Sequence, residues 1–187
     1  MTEAAEDSDL PLKTRIFMIN FLGLLNDPGS FKALQKILLY PKNSDVLRAQ
    51  AASVLFDAPV GVPARRRVFC EFLSQKNTPP LTLSQVLFEV SRLGCRDVNL
   101  LKAKVESFGS EPEKQDKILA LLAIQGMGES FSLKASAALW NLFDFFNAGS
   151  PERREILKAL LKQSFRNIPP DPDGAFHAEA ALRSESR

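Results

Sequence analysis

Apolar side chains recur at three-to-four residue intervals through nearly the whole chain, and apolar/polar alternation never persists beyond a few residues. That period draws an apolar stripe down one side of a helix, whereas a half-buried strand needs a period of two, so the pattern predicts an all-α protein. The residues between the stripes agree. Asp27-Pro28, Pro63, Thr82 followed by Gln85, Asp97, Ser110 followed by Glu113, Ser130, and Ser150-Pro151 offer a side-chain oxygen or a proline that suits the orphan N–H groups of a first turn. Gly94, Gly109, Gly126, Gly128 and Gly149 mark helix ends, where a left-handed residue costs glycine little. Together these signals predict nine helices, near residues 10–26, 28–40, 44–57, 63–76, 82–93, 97–108, 111–126, 130–148 and 151–166.

Alternate starts fall at 28, 62, 97 and 130, at intervals of 34, 35 and 33 residues. A constant period signals a repeated unit, here a first helix, a short turn and a second helix. One such pair cannot cover its own apolar face, so successive pairs must stack. The expected architecture is a right-handed α-solenoid of about four helix pairs with a capping N-terminal helix, over residues 9–167. One unit carries a resemblance: Leu34, Ile37 and Leu38, a turn from Pro41 to Asp45, then Val46-Leu47-Arg48 with Ala51, Ala52, Val54 and Leu55. This stretch resembles a HEAT or armadillo-type unit, and the period, with Trp140-Asn141-Leu142 and Phe145-Phe146, is also similar to tetratricopeptide repeats. Either resemblance implies a solenoid whose business is binding rather than chemistry.

Composition narrows the function classes. Of 187 residues, 45% are hydrophobic and 25% charged, as in ordinary globular domains. The one histidine, His177, lies in a tail rich in Ala, Asp and Pro, so no internal imidazole is available for a catalytic triad or a His-ligated metal. The glycines follow neither dinucleotide nor P-loop spacing. Asp144 with Asn141 and Glu89 with Arg92 are ordinary helix-surface pairs. The chain therefore reads as a non-enzyme with no cofactor. Cys70 and Cys95 sit singly in apolar helical patterns and read as buried free thiols, which suggests a reducing, cytoplasmic compartment. The apolar run from Ile16 to Leu25 is too short to span a bilayer, so no membrane association is expected.

Net charge is +2, but residues 1–9 hold four carboxylates and no Lys or Arg, leaving 24 basic against 18 acidic groups in the other 178 residues. Residues 1–8 and 168–187 lack periodic apolar content and are expected to be disordered. The second helix of each unit carries basic residues on its polar side: Arg48, Arg92, Lys117, and Lys158 with Lys162. Stacked in register, these would form a stripe able to meet an acidic partner or phosphates, although Glu89, one turn before Arg92, weakens it. The plainer reading is that each merely solvates its own helix.

In the helix near 130–148, Ala135, Ala138, Leu139, Leu142, Phe145 and Phe146 share an apolar arc, while Trp140 projects the other way beside Asp144. Trp140 is either packed against the preceding unit or an exposed anchor for a partner. Arg65-Arg66-Arg67 opens a helix, against the macrodipole, and reads as a solvated end with Arg67 facing Glu71. The expected function is a protein-interaction adaptor or assembly subunit whose partner-binding residues are Arg48, Arg92, Lys117, Trp140, Asp144 and Lys158. The alternative is nucleic-acid binding through the basic face.

Overall fold

A computed structural model describes residues 9–25, 27–58 and 60–164. The expected disordered segments 1–8 and 168–187, and His177 with them, lie outside the described residues. Among the described residues there are nine α-helices and no strand. They are α1 (Leu12–Leu25), α2 (Pro28–Leu39), α3 (Asp45–Phe56), α4 (Val62–Leu73), α5 (Pro80–Leu93), α6 (Val98–Ser107), α7 (Lys114–Gly128), α8 (Leu133–Phe143) and α9 (Pro151–Ser164). All nine fall where the apolar period placed them. The chain divides into two compact units, residues 1–89 and 90–187, with the boundary inside α5.

In the first unit α1 packs on α2 and α3, α2 on α3 and α4, and α3 on α4. The core is aliphatic and aromatic: Ile19 and Leu22 from α1, Leu34, Ile37 and Leu38 from α2, Leu47, Ala51 and Leu55 from α3, Phe69 and Phe72 from α4. Asp27 starts α2 as expected, accepting from the N–H groups of Gly29 and Ser30, with Pro28 in the first turn. The start of α5 departs from expectation. It begins at Pro80, and Thr82 is no local cap; the Asp45 carboxylate, from the first turn of α3, accepts from the Leu81 and Thr82 N–H groups at 2.9 and 2.8 Å and from the Thr82 hydroxyl. One carboxylate thus closes a helix 36 residues away in sequence. Cys70 is disulfide-bonded, which corrects the expected free thiol.

In the second unit α6 packs on α7 and α8, α7 on α8 and α9, and α8 on α9. Leu101, Val105, Ala120, Ala123, Ile124, Met127, Leu139, Leu142, Ile156 and Leu157 are sealed from solvent. Gly128 ends α7 as expected, whereas Gly126, also read as an end, lies inside it. A Cβ on Gly126 would stand 2.8 Å from Val90 Cγ1 and one on Gly128 3.0 Å from Ala159 Cβ, so these positions are kept bare for close packing. Gly94 and Gly109 do terminate helices, at φ +76° and +83°. At Gly94 a Cβ would also collide with the Glu129 carbonyl oxygen at 2.7 Å, because the loop after α5 lies against the end of α7. Ser130 serves that contact rather than a helix start: its one hydroxyl proton is shared between Cys95 O and Gly126 O, 2.7 and 2.8 Å from Oγ, and Oγ accepts from the Cys95 N–H. Ser132 caps α8 instead.

Helix α8 stops at Phe143, short of the expected 148, since residues 144–149 form turns carried by Phe145 N–H to Leu142 O and Ser150 N–H to Asn147 O. Phe146 is still buried, edge-on to Phe145 at 5.2 Å. Cys95, like Cys70, is disulfide-bonded rather than a free thiol.

Candidate interaction groove

Three helices of the second-helix series supply a single concavity in the second unit. Ser91 and Arg92 come from the end of α5, Gln125, Gly128 and Glu129 from the end of α7, and Glu155, Lys158, Ala159 and Lys162 from one side of α9. The concavity holds about 600 Å³, within the range of small ligand sites. Its depth follows from the floor, where Gly128 and Ala159 bring α7 and α9 close and present no side chain beyond a methyl group.

Charge is arranged in layers. Glu129 and Glu155 are set low, with side chains 15% and 19% exposed, while Lys162 and Lys158 lie over them at 47% and 64%. Lys158 Nζ is 3.3 Å from Glu155 Oε2, Lys162 pairs with Glu129, and Gln125 Nε2 donates to Glu155 Oε1 at 3.0 Å. Each lysine thus keeps an exposed side chain while its ammonium group meets a carboxylate of the groove. Three cations against two carboxylates leave the groove with a surplus of one positive charge.

The structure therefore brings Arg92 and Lys158 together, and adds Lys162. Glu89, feared as a neighbour of opposite sign, is turned inward at 3% exposure and accepts from Gln85 Nε2, so it leaves the outer face of α5 to Arg92. The other expected partner-binding residues are placed elsewhere. Lys117 stands 4.0 Å from the carboxylate of Glu152, which is buried. Asp144 is exposed at the C-cap of α8. Trp140 is half-buried, edge-on to Phe143 at 5.7 Å, and Phe143 in turn carries the Arg153 guanidinium at 3.8 Å from its centroid.

Arg48 corrects the expected stripe outright. It is 1% exposed in the first unit, lies over the Phe72 ring, and donates from Nε to Leu38 O at 2.7 Å and from Nη2 to Gln75 Oε1 at 2.6 Å. Gln75 completes the clasp by donating to Leu39 O. A guanidinium at the last carbonyls of α2 satisfies acceptors that the helix cannot, and its charge complements the negative helix end. Burial pushes the Arg48 pKa down, and Asp45 opposes that shift. Arg65 does similar work, donating to Phe56 O at the end of α3 and stacking on the Phe56 ring. The Arg65-Arg66-Arg67 cluster thus begins with a structural clamp.

Sequence reading missed Gln125, Glu129 and Glu155 as groove residues. The Glu155–Lys158 spacing of three was a visible signal, whereas the opposition of Glu129 to Lys162 spans 33 residues and needed the fold. Among the described residues no three His, Cys, Asp or Glu side chains converge in a way that could hold a metal, and no helix is long and apolar enough to cross a membrane. No protein-family model matches the chain, and no curated protein matches its sequence.

Proposed function

We propose that this chain is a non-catalytic helical-repeat adaptor, or an assembly subunit, that binds a partner protein through the outer face of its second helices. The observation that carries this reading is the groove, in which α5, α7 and α9, each the second helix of a 34-residue-type period, line one concave surface, with basic residues from α5 and α9. An α-solenoid of HEAT-like pairs is part of the proposal. It is supported by the contacts inside each unit, where a helix packs on the next helix and on the next but one, as stacked pairs require.

Reversing the groove's charge tests it. Full-length Arg92→Glu/Lys158→Glu should lose the partner that the native chain captures from its own cell, with helicity by circular dichroism unchanged. Trp140→Ala should retain it, because Trp140 lies outside the groove. Retention by the Arg92→Glu/Lys158→Glu variant, or loss by Trp140→Ala, would refute the assignment. Nucleic-acid binding is the second reading, favoured by the three clustered cations, and its mark is affinity that falls steeply with salt. The low-set Glu129 and Glu155 count against it, since a phosphate backbone lying in the groove would meet two carboxylates.

A cytoplasmic location belongs to the same proposal, and the cysteines bear against it. Both are disulfide-bonded, and disulfides persist mainly in oxidising compartments. Alkylating the protein at the moment of cell lysis and counting blocked thiols by mass decides between the two settings.

A further inference from the structure

We infer that the ligand of this groove is an acidic peptide segment in extended form, with carboxylates at alternate positions. The inference rests on the adaptor reading and specifies the chemistry of its partner.

It follows from what the groove's cations still have to offer. A lysine ammonium carries three N–H donors. Lys158 and Lys162 each meet one carboxylate of the groove, and at 64% and 47% exposure their remaining donors point to solvent. Exposed pairs of this kind are worth about 0–1 kcal/mol, so sharing an ammonium with a second carboxylate disturbs little. Glu129 and Glu155, set below the lysines, hold the ammonium groups up and repel any anion from the floor. An incoming carboxylate therefore docks on the rim.

The rim also has a repeat. Lys158 and Lys162 are four residues apart on α9, which separates them by about 6 Å along the helix axis. Side chains two apart in an extended chain are separated by about 6.6–7 Å and point the same way. Alternate acidic residues of one strand thus match both lysines. Where α7 and α9 touch at Gly128 and Ala159, no side chain beyond a methyl group projects into the groove to obstruct a peptide lying over the contact, with Arg92 on the α5 bank.

The test uses the full chain and fluorescein-labelled ten-residue peptides, read by anisotropy at low ionic strength. Alternating Glu/Ala should bind, and alternating Gln/Ala and Lys/Ala should not. Lys158→Glu/Lys162→Glu should weaken the Glu/Ala peptide at least about tenfold, whereas Glu129→Gln/Glu155→Gln should tighten it several-fold by removing the like charges beneath the rim. Equal binding of the neutral peptide, indifference to the lysine reversal, or a thymidine oligonucleotide of equal charge binding more tightly than the peptide would each overturn the inference. Its failure is separable from failure of the adaptor reading. If cellular partner capture depends on Arg92 and Lys158 while the acidic peptide does not bind, the ligand class is wrong and the adaptor stands. If the peptide binds but capture ignores the groove, the adaptor reading falls.

Discussion

The two units of the chain spend their charged residues differently. In the first, charge closes helix ends: Asp27 on the start of α2, Asp45 on the start of α5, Arg48 on the end of α2 and Arg65 on the end of α3. In the second, Asp97 still caps α6, but hydroxyl and amide groups do most of that work: Ser132 on α8, Ser150 on α9, Ser130 on the end of α7, and the buried Gln163, whose Nε2 donates to Met127 O. Lys158, Lys162, Glu129 and Glu155 are then left at the surface, around a groove. The same kind of residue on a second helix is therefore scaffold in one unit and lines a surface groove, the proposed binding face, in the other. What separates Arg48 from Lys158 is whether the orphan carbonyls of a preceding helix lie within its reach.

The largest effect that could break this comparison is at Arg48. Arg48→Met keeps most of the volume but strands the buried Leu38 O, at about 1–3 kcal/mol, and the part-buried Gln75 Oε1 at a smaller cost, and removes the guanidinium from the Phe72 ring. We expect a loss of about 2–4 kcal/mol in urea denaturation. A loss below about 0.5 kcal/mol would mean that Arg48 is no clamp and that the contrast between the units is illusory.

How far these roles were legible follows from particular residues. All nine helices were readable, because their apolar stripes are local. Boundaries moved where a cap came from elsewhere in the fold: Thr82 looks like its own helix's cap until Asp45 supplies it, and Ser130 looks like a start while bonding to Cys95. Gly126, inside α7, reads as a helix end because bareness for packing and freedom of φ leave the same letter in a sequence. Arg48 misled for a different reason. Leu47, Arg48, Ala49, Ala51, Ala52 and Leu55 are all buried, and on a helical wheel Arg48 falls among Ala51, Leu55 and Ala52, so position pointed inward while the charge alone suggested the polar side. In the groove Arg92 and Lys158 were legible as surface cations, but the carboxylates beneath the lysines were not, since Glu129 and Lys162 meet only through the packing of α7 on α9.

A smaller effect is expected at Asp45. Asp45→Ala removes the acceptor for the Leu81 and Thr82 N–H groups and should cost about 1–2 kcal/mol by thermal denaturation, in the range of lost N-caps. Asp45→Asn should recover part of it, because an amide oxygen can still accept. Smaller again is a pH effect at Asp27. Its hydrogen bonds, led by the Ser30 hydroxyl, hold its pKa below the ordinary 3.8. A folded pKa depressed in this way adds stability above 3.8 that disappears as pH falls through the folded value. Urea denaturation between about pH 5 and pH 2 should accordingly show a shallower acid limb for Asp27→Asn than for the native chain. Identical limbs would remove Asp27 from the charged groups that close helices in the first unit.

The smallest effect sharpens the comparison most. Lys158→Ala/Lys162→Ala deletes two cations whose ion pairs face water, and the carboxylates left behind, 15% and 19% exposed, keep access to solvent. Exposed pairs of this kind contribute about 0–1 kcal/mol, so the double variant should unfold within about 0.5 kcal/mol of the native chain. A residue kept for stability cannot be that dispensable, so a near-zero cost here beside a large one at Arg48 would leave binding as the reason for these lysines. A cost approaching that of Arg48→Met would instead show that the lysines hold α7 against α9 through Glu129 and Glu155. Both units would then use charge in the same structural way, and the groove would be the gap between two braced helices.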